Sequence, residues 1–338
     1  MYINKRPVPS LEYVASEAGV SSAFLRDVAE RRVEAYNEFT LAKAKKGSTR
    51  IIASPLPDLA KAQRWILSNM LRGSTAEPPS FAYRKSVSVK DCARVHVGAR
   101  WVLKLDLRDF FHSIDVGRVA KIFRKTGCDE ETSRQLARLC TRSPRIGRTA
   151  SLALGYLPQG APTSGMLANL AASNLDRSLS RLGARYNLKY TRYSDDLTFS
   201  SSGMFSRTEA HAIIRSARAE IVRNHFQMNE DKIRISPPGS RLMVLGLLVD
   251  TDRPRLRGNF KKDLEWHVYG SSSFGPNYSV SKGFTSLQDY ISHVDGLFAH
   301  AIDIEPEWAH ELQKSWAAVS GVLNSKEFDP FWTAPLYR

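Results

Sequence analysis

Apolar positions recur at helical spacing near the start of the chain. Leu11, Val14 and Ala15 share one face, and Leu25, Val28 and Ala29 share another beyond Gly19. Ser21 or Ser22 offers a cap for the second helix. Lys43, Lys45, Lys46 and Arg50 surround Gly47-Ser48, which reads as a basic hairpin loop leading into the strand Arg50–Ala53. Pro55 and Pro57 end that strand, and helical spacing returns from Leu59 to Leu71. Val97 to Leu107 reads mostly as strand. A helix then runs from Val116 to Lys125, with Asp115 or Ser113 as its cap and Gly127 as its stop. Another covers residues 129–142, and an arginine-rich loop follows with Arg142, Arg145 and Arg148. Pro162 opens a long helix to Leu182. Leu188 to Ser200 alternates like a hairpin whose tip is Tyr193-Ser194-Asp195-Asp196. A helix over 206–225 precedes short strands at 233–235 and 243–249, and beyond about 255 the pattern is helical apart from a Ser/Gly-rich loop, Gly270 to Gly275.

Strands and helices mix here without regular βαβ alternation, which favours an α+β class with an antiparallel sheet and helices on one face. Within the strand before Leu107, Leu103, Leu105 and Leu107 point one way, and Val102, Lys104 and Asp106 the other. The leucines would face helices, leaving Asp106 to an open cleft. Alone, a strand-end Asp facing water is the plain alternative, and paired acids in a turn are common because Asp favours turns. Together, Asp106, Asp195 and Asp196 suggest more. Converging carboxylates raise one another's pKa unless a cation joins them. Magnesium prefers a few carboxylates plus substrate phosphates. Two such ions about 3.5–4 Å apart clamp the attacking and leaving oxygens of a phosphoryl transfer, the chemistry of a nucleic-acid polymerase.

The 338 residues carry a net charge of +15, which suits a polyanionic partner. A membrane is disfavoured, since no run of about 18 apolar residues exists and Met1 to Pro7 shows no apolar signal segment. Cys92, Cys128 and Cys140 form no CxxC pair and the eight histidines no HExxH, so neither a disulfide framework nor a zinc centre is indicated.

Three linked stretches resemble the A, B and C motifs of reverse transcriptases, in order and spacing. They are Asp106-Leu107-Arg108-Asp109-Phe110-Phe111, Leu157-Pro158-Gln159-Gly160 through Ser164, and Tyr193-Ser194-Asp195-Asp196-Leu197. The nearest likeness is to bacterial retron enzymes, over roughly residues 35–265. The resemblance implies a right-hand polymerase fold of fingers, palm and helical thumb. Residues 1–100 and about 116–156 would form the fingers, 101–250 the palm and 251–338 an RNA-binding thumb. Asp106, Asp195 and Asp196 would be the catalytic acids, holding two Mg²⁺ ions (Mn²⁺ a possible substitute) with the Leu107 carbonyl, and Asp196 serving more as electrostatic support. Phe111 would be a steric gate against the ribose 2′-hydroxyl, with core packing the alternative. Gln159 and Gly160 would border nucleotide and template, Arg50 would grip the triphosphate with help from Lys46, and Asn169 matches a further polar position. Asp109 fits a local cap better than a metal ligand. Asn229 and Lys232 match motif D, where the lysine would stabilise charge or donate a proton at the leaving group. A solvated lysine is its alternative.

The same resemblance implies a structured non-coding RNA as template and primer, deoxynucleotide substrates, a branched RNA-linked DNA product, an effector or toxin partner, a role in anti-phage defence and a bacterial cytoplasmic location. Arg253, Arg255, Arg257, Lys261 and Lys262, followed by Trp266, His267 and Tyr269, suit RNA phosphates and unstacked bases. Some family positions differ. Cys92-Ala93-Arg94-Val95-His96 lacks an Asn, Val244-Leu245-Gly246 lacks a Thr, Gly165 stands where Pro is usual and Ala60 where Lys is usual. These leave room for another bacterial reverse transcriptase, defence-associated or group II intron-like, or for an RNA-binding scaffold that restrains a toxin.

Overall fold

A computed structural model describes residues 10–42, 49–144 and 152–324. Lys43, Lys45, Lys46, Arg145 and Arg148 lie outside the described residues. The chain divides into two units: residues up to Cys92 with Trp101–Pro237, and Ala93–Arg100 with the residues from Pro238 onward.

The first unit opens with α1 (Leu11–Ala18) and α2 (Ser22–Ala29), capped by the Ser10 and Ser21 hydroxyls. Strands β1 (Tyr36–Ala42) and β2 (Thr49–Pro55) pair antiparallel. Pro57, expected only to end a strand, opens α3 (Pro57–Asn69), where its missing N–H costs nothing. After α4 (Val89–Arg94) comes β3 (Trp101–Asp106), shorter at its start than expected. Helices α5 (Val116–Lys125) and α6 (Glu130–Cys140) begin at the Asp115 and Asp129 carboxylates, which accept from Arg118 N–H and Thr132 N–H.

The single helix expected after Pro162 is two, α7 (Ser164–Ala171) and α8 (Ser173–Arg185). At the junction the Ser173 hydroxyl donates to the Asn169 carbonyl (3.3 Å), a back-bond of the kind that bends helices. Next come β4 (Lys189–Tyr193), β5 (Asp196–Ser201), α9 (Arg207–Arg223) and β6 (Arg234–Ser236). The sheet runs β4-β5-β3-β6 with every neighbour antiparallel. Leu103, Leu105, Leu197 and Phe199 join Leu175 and Leu179 of α8 and Ile213 and Ile221 of α9 in one core. Each such side chain contributes about 1.5–3 kcal/mol by leaving water, so the sheet's helical face is firmly specified.

In the second unit, β7 (Met243–Val244) and β8 (Leu247–Leu248) form a hairpin where one strand over 243–249 was expected. The chain reverses at Leu245 (φ 49°) and Gly246 (φ 86°), and positive φ at both central residues is the tight turn that suits twisted strands. Helices α10 (Gly258–Phe274), α11 (Pro276–Ser281), α12 (Leu287–Ile304) and α13 (Pro306–Asn324) follow. The Ser/Gly-rich stretch expected as a loop is instead the last turns of α10. Gly270 serves packing there: a Cβ would stand 2.2 Å from the Tyr278 ring. The α+β class with an antiparallel sheet is as expected.

Candidate active site

Pairing of β3 with β5 sets Asp106 opposite Asp196. A two-residue turn, Ser194-Asp195, joins the paired Tyr193 and Asp196, and Leu107 N–H donates to the Asp195 carbonyl (3.0 Å). One end of the sheet therefore gathers three aspartates that lie far apart in the chain. Asp106 is not open to the cleft as alternation suggested; it is 4% exposed. Its Oδ1 accepts from Asn229 Nδ2 (3.1 Å) and its Oδ2 from Lys232 Nζ (2.7 Å), while Asn229 N–H donates to its carbonyl (2.8 Å).

Asp196 reaches solvent by surface area, yet protein crowds its carboxyl. Desolvation first, then the charges of Asp195 and Asp106, push that carboxyl up to about 6. Burial alone would lower the Lys232 ammonium, but its bond to Asp106 and the field of all three acids outweigh that and raise it. Lys104, beside them on β3, is lowered by burial, with Asp196 pulling the other way.

Among the described residues, no three His, Cys, Asp or Glu side chains form a ready metal cage. The three aspartates nevertheless fit magnesium in kind. They are hard oxygen donors, the charges of Asp195 and Asp106 add to burial in raising the Asp196 carboxyl, and Lys232 pairs with Asp106. Magnesium completes such a sparse set with water and substrate phosphates.

Beneath the acids lies a buried network that sequence reasoning missed. Arg192 and Asp176 are both fully buried. Arg192 grips Asp176 with two parallel bonds, Nε to Oδ1 (2.8 Å) and Nη2 to Oδ2 (2.7 Å). It also donates to Ser80 Oγ (2.8 Å), Asn169 Oδ1 (3.1 Å) and the Ser194 carbonyl (3.1 Å). The last bond ties the network to the turn between Tyr193 and Asp196. Asn169 thus belongs to this network, where its Nδ2 also donates to the Ala82 carbonyl (2.7 Å). A hint was available: Asp176 sits inside the apolar stripe of α8, a costly place for an unpaired charge.

Phe111 is half-buried and meets the rings of Phe110 (5.5 Å) and Tyr83 (5.9 Å) edge-on. The Tyr83 hydroxyl lies 2.9 Å from Ser194 Oγ, and burial raises its pKa while Ser194 and Arg50 draw it back. Gly165 lets the Tyr83 ring lie close, since a Cβ there would stand 2.5 Å from it, which gives the departure from Pro a packing reason. Gln159 offers its carbonyl to Ala53 N–H (2.8 Å), and Gly160 lies so near β2 that a Cβ would meet Ile52 at 2.9 Å. The turn at 157–160 is thereby seated on the strand that carries Arg50. Arg50 itself is exposed. Asp109 takes a positive φ (46°), and its carbonyl accepts from Ser113 N–H.

In the second unit, Arg253, Arg257 and Lys262 are exposed. Arg255 instead pairs with Asp250 (3.2 Å), and Lys261 pairs with Glu305 and lies over Trp308. Trp266 and Tyr269 are exposed, in edge contact at 5.5 Å, while His267 turns inward to the Tyr290 hydroxyl (3.1 Å).

An antiparallel sheet that brings three aspartates and a lysine to one end is the arrangement expected of a right-hand polymerase fold. Residues 41–249 match the family model described as reverse transcriptase (RNA-dependent DNA polymerase). Retron Mx162 reverse transcriptase of Myxococcus xanthus is 38% identical over 269 residues, 73% of this chain and 55% of that protein. Retron Mx65 reverse transcriptase of the same organism is 31% identical over 90% of this chain and 70% of its own length. Retron Ec86 reverse transcriptase of Escherichia coli is 33% identical over 60% of this chain and 59% of its own. The chain thus spans little more than half of two of these relatives. A solved telomerase structure from Candida albicans aligns over 92% of this chain and 59% of its own at 11% identity and TM-score 0.47, a likeness too slight to argue from. The chain belongs to the bacterial retron-type reverse transcriptases. Among the described residues, no helix is long and apolar enough to cross a membrane.

Proposed function

We propose that this chain copies a dedicated structured RNA into DNA, extending a primer hydroxyl of that RNA with deoxynucleotides. The observation that carries the reading is the meeting of Asp106, Asp195 and Asp196 at one end of the sheet, with Lys232 on Asp106. Asp106, Asp195, Asp196 and the Leu107 carbonyl would hold two magnesium ions, Mn²⁺ being a possible substitute. Such ions, when bound, polarise the attacking and leaving oxygens of the transfer. Lys232, kept protonated by its acidic neighbours, stands ready to neutralise or protonate the leaving phosphate. Phe111, braced by Phe110 and Tyr83, would exclude a ribose 2′-hydroxyl. Arg50 and the seated turn at Gln159-Gly160 would border the incoming nucleotide.

The first 100 residues and about 116–156 act as fingers, 101–250 as palm and 251–338 as thumb. Exposed Arg253, Arg257 and Lys262 with Trp266 and Tyr269 face RNA, and Arg255 and Lys261 brace them. The product is a branched RNA-linked DNA made in the bacterial cytoplasm, serving anti-phage defence with an effector protein. The kinship with retron enzymes supports these finer points.

The double variant Asp195→Asn with Asp196→Asn tests the reading. Extension of a primed RNA template should fall at least about a thousandfold, since each acid supplies several kcal/mol of charge stabilisation. Undiminished extension and undiminished phage resistance would leave an RNA-binding scaffold as the better account. Sequencing the nucleic acid that copurifies should find short DNA joined covalently to RNA.

A further inference from the structure

The first unit carries a basic groove that Asp106, Asp195 and Asp196 do not line. Two adjoining depressions of about 470 and 500 Å³ share Asn174, Arg177, Arg223 and Asn224. One wall is a single stripe of α8, where Arg177, Arg181 and Arg185 follow one another at four-residue spacing. Leu175 and Leu179 enter the core from another face of the helix, while Leu182 lines the groove beside the arginines. The opposite wall is a stripe of α5, with Arg118, Lys121 and Lys125. Arg223 closes the end of α9. Seven cations therefore line the groove against two acids, Glu77 and Glu220.

Some of these cations are already committed. Arg118 donates to the Ala171 carbonyl (3.1 Å) and lies 4.4 Å over the Phe226 ring. Arg177 pairs with Glu77 (2.7 Å) and Arg223 with Glu220. Lys121, Lys125, Arg181 and Arg185 are exposed and make no ion pair among the described residues. Four unneutralised charges facing one groove repel one another, and a polyanion relieves that repulsion.

We infer that this groove binds the sugar-phosphate backbone of a double-stranded RNA stem, apart from the template path. The inference rests on the reading that the chain holds a dedicated structured RNA. The lining decides the partner. Protein interfaces concentrate apolar and aromatic side chains and lose charges at their centre. This groove has few apolar side chains, and Ser, Thr and Asn residues line it together with the cations, the donor set that phosphate contacts use. The α8 stripe spans about 12 Å from Arg177 to Arg185 at 1.5 Å per residue, enough to follow several phosphates of one strand. The groove selects by backbone shape and charge, as stem recognition does, and not by base sequence.

The test uses the full chain with Lys121, Lys125, Arg181 and Arg185 all changed to Gln, and a second variant with each Lys changed to Arg and each Arg to Lys. Three probes suffice: a blunt RNA hairpin of about 16 base pairs, a short single-stranded RNA template with an annealed DNA primer, and polyglutamate. The Gln variant should bind the hairpin at least about tenfold more weakly at physiological salt, and its plot of log affinity against log salt should be shallower by up to about 3.6. Its extension of the short primed template should match the parent. The swapped variant should bind the hairpin like the parent. Parent-like hairpin affinity and salt slope in the Gln variant overturn the inference, as does loss of hairpin binding in the swapped variant. Loss of polyglutamate binding with hairpin binding intact also overturns it, in favour of an acidic protein. If the parent extends no primed template yet the Gln variant loses the hairpin, the copying reading fails and the groove stands.

Discussion

Replacing Asp176 with Asn should separate folding from catalysis in this palm. In the native network Asp176 Oδ1 accepts from Arg192 Nε (2.8 Å) and the Tyr190 hydroxyl (3.0 Å), and Oδ2 accepts from Arg192 Nη2 (2.7 Å). An amide there turns one acceptor into a donor and leaves a fully buried guanidinium without its counter-charge. Breaking a buried pair from one side costs about 3–5 kcal/mol. For a domain of this size each kcal/mol lowers the melting midpoint by about 2–4 °C, so Asp176→Asn should melt roughly 6–20 °C lower. The variant should also be slow while folded, because Arg192 holds the Ser194 carbonyl (3.1 Å) beside Asp195 and Asp196. A misplacement of about 1 Å at reacting groups costs about a hundredfold in rate. Primer extension below the variant's melting point should show that loss in kcat, with KM for the nucleotide little changed. The paired variant Asp176→Leu with Arg192→Met removes both charges, so it should recover stability but not rate. Wild-type melting of Asp176→Asn, or wild-type extension by the apolar pair, would refute the reasoning.

Phe111→Ala should raise ribonucleotide incorporation at least about tenfold in single-nucleotide assays; unchanged sugar selectivity would leave Phe111 a packing residue. Lys232→Gln keeps a donor for Asp106 but loses charge and acidity, so the single-turnover rate should fall about a hundredfold or more with melting unchanged. Burial, then repulsion from Lys282 and His293, opposed by Asp263, lowers His267 from 6.5 to about 4. Between those values the unfolded chain binds a proton that the folded chain refuses. Stability is therefore full above about pH 6.5 and is lost as pH falls toward 4, and thermal melts of His267→Gln should lack that acid limb.

Local chemistry was the most legible part of the chain. Ser21 and Asp115 sit before apolar runs and do cap helices, and the acidic hairpin is foreshadowed by a partial alternation around a turn-forming Ser-Asp. Long-range effects were not legible. Leu245 takes a positive φ against its own preference because strand pairing demands a reversal there. Gly270 read as a loop breaker, yet it lies within α10 because Tyr278 needs the space of its missing side chain. The partnership of Arg192 with Asp176 joins a strand to a helix, and only burial reveals it. The stripe of Arg177, Arg181 and Arg185 was readable from spacing alone, but without the facing helix α5 it looks like an ordinary wet surface.

The two-residue link between Tyr193 and Asp196 has an evolutionary consequence. Substitutions can accumulate along β3, β4 and β5 so long as size and polarity suit each face. A single inserted or deleted codon within any of them cannot be absorbed, since it would turn every later side chain over and carry an aspartate to the wrong side. Descendants of this chain can rewrite the letters around the acids, but they must preserve the count.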